Sequence, residues 1–193
     1  MFQYLFRLPS LVALLLVVAL SAGVERAGAD GLCLGTYNGT PSSMAIDGSQ
    51  AGAGTAIAGA DVLVGAPGIG IVRVYRRISG LYYVVGSLTR PSSILPDSSG
   101  FGRGIAVDGT VAAVSAPFHN NSQGAVVLYS RASDRTWSFL QTINSPLGVA
   151  NGVFGMSIAM SDGFLAIGAP GAINAAEYAR GVVYLYERTP AGT

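Results

Sequence analysis

Charge is scarce in this 193-residue chain: Asp, Glu, Lys and Arg make up 11% of it, against roughly 25% in an average soluble protein. A disordered tail needs high charge and low hydrophobicity, so that class is excluded. The net charge is only +1, and Lys and Arg form no block. There is thus no electrostatic footprint for nucleic acid, and none for a membrane surface or a strongly acidic partner. Cysteine is nearly absent. Cys33 stands alone, so a disulfide framework is excluded and packing must hold the fold. Cys33 is free, paired with another chain, or paired with a cysteine outside this sequence. A lipoprotein would need a small residue before it, and Leu32 sits there.

Catalytic groupings are missing too. His119 is the only histidine, so no pair has zinc-ligand spacing. A Ser-His-Asp triad would need a serine on a strained elbow, and no G-x-S-x-G is present. His119 reads as a solvated loop residue. The ten acidic residues are scattered, mainly at turns, where Asp is favoured for backbone reasons. The glycine-rich stretch 48–59 has no lysine and no following helix, so it is not a phosphate loop. No enzyme, cofactor or metal is expected from these residues.

What is abundant is glycine, 27 residues of it, and apolar side chains, half the chain. That pairing suits an all-β protein full of tight turns. At the N-terminus, Arg7 precedes an apolar run from Leu11 to Ala22, followed by Ala27-Gly28-Ala29. This is the three-part layout of a secretory signal peptide, with cleavage expected after Ala29. The run is about 12 residues, short of the roughly 20 that span a bilayer, so the mature chain should have no transmembrane span.

The dominant feature is an internal repeat. FGRGIAVDGTVAAVSAP (Phe101–Pro117) and FGMSIAMSDGFLAIGAP (Phe154–Pro170) align without gaps, and AGAGTAIAGADVLVGAP (Ala51–Pro67) is a degenerate copy. An aromatic-ended strand follows each: VRVYRR (Val72–Arg77), VVLYSR (Val126–Arg131) and VVYLYER (Val182–Arg188). The first two copies add LYYVVGSL (Leu81–Leu88) and TWSFLQTI (Thr136–Ile143). Each copy reads as four short strands. The second is apolar throughout and so buried on both faces, and the fourth is an outer strand with one wet face. Asp108-Gly109 is the expected hairpin turn between the first two strands of copy 2, with Ser161-Asp162-Gly163 doing the same in copy 3. Four strands per unit of about 50 residues is the footprint of a propeller blade.

Phe101-Gly102 with Ala116-Pro117, and Phe154-Gly155 with Gly168-Ala169-Pro170, resemble the FG-GAP repeat of integrin α-like β-propellers. Gly65-Ala66-Pro67 also matches, although Ala51 stands where the phenylalanine would be. The resemblance implies an incomplete or open propeller of about three four-stranded blades. Its divisions are a helical signal peptide (1–29), an N-terminal segment that forms part of a blade (30–50), and repeats at 51–100, 101–153 and 154–193, the last truncated. The family's blades often hold calcium in a D-x-D-x-D-G loop. Here that loop carries one carboxylate, so the resemblance is to the metal-free short-loop variant. The implied function is a secreted or cell-surface, non-catalytic binding or adhesion module for a protein or glycan. The alternative is a fragment of a propeller enzyme whose catalytic residues lie outside this chain.

The loops after Ala-Pro vary in length while the strands do not. Loops on a rigid scaffold carry binding, which singles out Phe118, His119, Tyr178 and Arg180. Asn38 and Asn120 head N-x-S/T sequons, candidate N-glycosylation sites in a eukaryotic secreted chain. Exposed blade edges invite self-association.

Overall fold

Runs of Val, Ile, Tyr and Thr between glycine turns favour extended backbone. The computed structural model, which describes residues 49–79, 81–91, 97–173 and 181–189, shows three antiparallel meanders in succession. Sheet 1 contains β1 (Thr55–Ala58), β2 (Asp61–Ala66), β3 (Ile71–Ile78) and β4 (Leu81–Thr89). Sheet 2 contains β5 (Ile105–Asp108), β6 (Val111–Ala116), β7 (Ala125–Arg131) and β8 (Trp137–Asn144). Sheet 3 contains β9 (Ser157–Ser161), β10 (Phe164–Ala169) and β11 (Val182–Glu187). Strand pairing closes no barrel among the described residues. Helix there is confined to a 3-10 turn, Asp97–Ser99, and a four-residue turn, His119–Ser122. The signal-peptide stretch, Cys33, Asn38, Tyr178 and Arg180 lie outside the described residues.

The aligned copies adopt one backbone. Gly52, Gly102 and Gly155 hold φ of +87°, +94° and +90°, a region that only glycine enters without strain. Each donates its N–H to the matching carbonyl, of Gly65, Ser115 or Gly168, at 2.9, 3.0 and 3.0 Å. The amides of Arg77, Arg131 and Arg188 likewise donate to the carbonyls of Ala60, Thr110 and Gly163. Even the irregularity repeats: the β3–β4 ladder slips between Val74 and Tyr75, and the β7–β8 ladder between the aligned Leu128 and Tyr129.

Two expectations are corrected here. Asp108 pairs with Val111, so the two-residue turn is Gly109-Thr110, and Gly109 carries the positive φ of 56°. Asp-Gly is the turn only in copy 3, where Ser161 pairs with Phe164 and Asp162 and Gly163 both have positive φ, as a type I′ hairpin requires. The outer strands also differ from expectation: four consecutive residues of β8, Ser138 to Gln141, are exposed. Both faces of that stretch therefore meet water, while Trp137 and Ile143 at its ends pack against the two cores.

The second strands of the first two copies bury on both faces as read, whereas β10 of the third buries only one face, with Phe164 exposed and Ala166 and Gly168 partly so. Every residue of β2 and β6 is buried. The cores sit between sheets rather than within them. Side chains alternate across a strand, giving each sheet a front face toward the preceding sheet and a back face toward the next. The back face of sheet 1 (Leu63, Val72, Val74) packs on the front face of sheet 2 (Ala112, Val114, Val127, Tyr129). The back face of sheet 2 (Ala113, Val126, Leu128) packs on the front face of sheet 3 (Leu165, Ile167, Tyr184). Phe101 is fully buried in the first seam and Phe154 in the second. Close approach in the first seam needs glycine at position 65, where a Cβ would lie 1.9 Å from the carbonyl oxygen of Gly102.

Candidate functional site

Stacked copies of one register send equivalent loops out at the same end. The anchoring bond is the same in all three: the amides of Gly68, Phe118 and Gly171 donate to the carbonyls of Ser49, Ser99 and Gly152. From this base each loop holds up one large apolar side chain, Ile69, Phe118 or Ile173, and all three are more than a third exposed. Of the residues singled out from the sequence, Phe118, His119 and Asn120 are found here. The two isoleucines were missed, because an apolar residue beside a strand looks like core until its exposure is known.

Phe118 is fixed from below. Its ring covers Gly100, where a Cβ would come within 2.8 Å of the ring. The Arg103 guanidinium lies 5.3 Å from the ring centroid, within cation–π range. Asn120, Asn121 and Ser122 hold φ of 49°, 54° and 58°, a left-handed run that asparagine tolerates best. Asn120 is exposed and donates its amide to Oε1 of Gln123 at 2.8 Å.

His119 is not the solvated residue expected. It is half-buried, its Nδ1 is buried without a hydrogen-bond partner, and burial holds its pKa below the ordinary 6.5. The unfolded chain therefore binds more protons than the folded one around and just below 6.5, so stability falls as pH drops through that window. The urea midpoint is expected to decline between about pH 7 and pH 5, and His119→Gln to flatten that decline. An unchanged slope in the variant would show that other groups set it.

A second grouping was not seen in the sequence. Asp61 is fully buried and accepts Nε and Nη2 of Arg76 at 2.7 and 3.1 Å. It also accepts Nη2 of Arg131 at 2.8 Å, across the seam from sheet 2. Arg131 donates Nη1 to the carbonyl of Ala58 and lies 5.6 Å from the centroid of the Trp137 ring. The hydrogen bond to Asp61 holds the Arg76 pKa above its ordinary value. Its charges are engaged with one another, so this cluster ties two sheets together.

Between sheets 2 and 3, a cleft of about 310 Å³ is floored by Val111, Leu128, Met160 and Leu165, with Asp108 and Arg188 on its rim. Asp108 Oδ2 accepts the Gly163 amide at 2.7 Å, bridging the two sheets. With both signs on its rim, the cleft selects no charge. Among the described residues, no three His, Cys, Asp or Glu side chains group as metal ligands, and no helix is long and apolar enough to cross a membrane. No protein-family model matches the chain, and no curated protein matches it.

Proposed function

We propose that this chain is an extracellular, non-catalytic binding module built as an open β-propeller of the FG-GAP kind, gripping a protein or glycan with its post-Ala-Pro loops. The observation that carries this reading is the row of Ile69, Phe118 and Ile173. Three equivalent loops, anchored by equivalent backbone bonds, each hold an apolar side chain into solvent at one end of the stack. Exposed apolar groups grouped on a rigid base are the usual mark of a contact surface. The signal-peptide layout of residues 1–29 supports an extracellular setting, and the exposed Asn120 supports glycosylation at the edge of the same surface.

The test is binding of the purified chain to a glycan array and to cells of its own host. The triple variant Ile69→Ser, Phe118→Ser, Ile173→Ser is expected to lose at least about tenfold in affinity, since burying the exposed third of each of the three side chains is worth about 0.5–1 kcal/mol. The same binding by the triple variant would overturn the assignment of this surface.

A further inference from the structure

The three copies share a tight turn ahead of the first strand. Ala53, Arg103 and Met156 occupy the same position in it, and their amides donate to the carbonyls of Gln50, Gly100 and Val153 at 3.2, 3.1 and 3.0 Å. Copy 1 makes this turn with alanine, so the turn itself does not require arginine. Arg103 is exposed, and its guanidinium lies against the Phe118 ring, 5.3 Å from the centroid. That contact fixes the planar fork at the foot of the post-Ala-Pro loop and leaves its N–H donors unspent. Among the described residues no acid pairs with Arg103. It stands in the middle sheet of the stack, with a sheet on either side.

Charge around it is segregated. Asp61, Asp108, Asp134, Asp162 and Glu187 all stand in or beside the hairpin turns at the opposite end of the strands. At the loop end the 3-10 turn carries Asp97, set against two cations, Arg103 and Arg90, whose Nε lies beside Gly70. The end that displays Ile69, Phe118 and Ile173 thus also displays an ordered cation that the chain does not neutralise.

We propose that Arg103 is the specificity-determining residue of this surface, and that it receives a carboxylate from a protein ligand whose apolar side chains cover Ile69, Phe118 and Ile173. The proposal rests on the reading of these loops as a binding face and adds the ligand's chemistry: an apolar segment with an aspartate or glutamate beside it. An arginine fork matches a carboxylate with two parallel N–H···O bonds. Stacking on the ring has already ordered the side chain, so less freedom is lost on binding. A glycan is the poorer fit. Sugars dock on open aromatic faces, whereas this row holds two isoleucines and one ring that Gly100 and Arg103 already engage.

The test is an array of peptides in which Asp or Glu is flanked by Leu, Ile or Phe, each beside its Asn or Gln counterpart, run together with neutral and carboxylated glycans. The purified chain is expected to bind a subset of the acidic peptides at least about tenfold more tightly than their amide counterparts, a preference that weakens with added salt. Arg103→Ala, which installs the residue of copy 1, is expected to lose the preference and keep the weaker binding of the amide peptides. Arg103→Lys, which keeps the charge without the fork, retains only part of it. Urea midpoints close to the parent's will show that both variants fold. Equal binding of acid and amide peptides would overturn the role of Arg103 and leave the apolar row standing. A preference that survives Arg103→Ala would overturn the assignment to this residue. Binding of carboxylated glycans and of no peptide would overturn the protein ligand and give the arginine to an acidic sugar. Binding to neither, with host cells still bound through the apolar row, would overturn this proposal alone. Loss of cell binding as well would take the binding face with it.

Discussion

Phe154→Ala is expected to lower the unfolding free energy by about 3–5 kcal/mol, the range for deleting a fully buried aromatic ring. Phe154 is wholly buried in the seam between sheets 2 and 3, edge-on to Tyr184 at 5.3 Å between centroids. Its surroundings cannot collapse into the space it would leave. A Cβ on Gly124 would already lie 2.1 Å from the Phe154 carbonyl oxygen, so the two backbones are in contact before any relaxation. Both flanking sheets have hydrogen-bond ladders of their own that fix their positions. Equilibrium urea unfolding checks the figure. A loss below about 1.5 kcal/mol would place the ring among substitutions that the site absorbs, and the wedge role would fall.

Asp61→Ala is expected to cost a similar amount, about 3–5 kcal/mol, by a different mechanism. The carboxylate is wholly buried between two guanidinium groups. Removing it leaves Arg76 and Arg131 facing each other with no counter-charge. Their desolvation is then uncompensated, and the partners that hold Arg131 are reduced to the Ala58 carbonyl and the Trp137 ring. The repeat itself supplies a control. At the aligned positions of copy 2, Val111 replaces Asp61 and Ser130 replaces Arg76. The triple variant Asp61→Val, Arg76→Ser, Arg131→Met carries the residues that copy 2 uses at the first two positions and removes the third charge as well, and it is expected to recover at least half of the loss, because replacing a buried charge group whole is far less costly than breaking it. A triple variant as unstable as Asp61→Ala would show that the cost lies in packing rather than in charge.

The meander and its seams were legible because the repeat states them three times. A glycine that must hold positive φ and an apolar second strand recur in all three copies, and a phenylalanine that must fill a gap recurs in two. Strand limits read from the copies agree with the structure to within about a residue or two. What escaped had a common cause. The turn at Asp108 depends on which residue pairs with Val111, and pairing register is not written in a dipeptide. Asp61 lies just past Gly59-Ala60 and so resembles an ordinary turn acid, while its partner Arg131 is 70 residues away in sequence. The signal that could have revealed it is the column of the repeat: an aspartate standing where the other copies have Val111 and Phe164. For the loops the limit was exposure. Ile69 and Ile173 differ from core isoleucines only in what surrounds them.

The interleaved cores also set the order in which the molecule comes apart. Sheet 2 contributes one face to each seam, and each end sheet contributes to only one. Stability in such a stack is a sum of nearest-neighbour terms. Sheet 1 or sheet 3 can therefore open and leave one seam intact, whereas opening sheet 2 dissolves both at once. Sheet 3, with Val183, Leu185 and Phe164 exposed, frays before sheet 2, and β6, buried along its whole length between two seams, meets water only when both have opened.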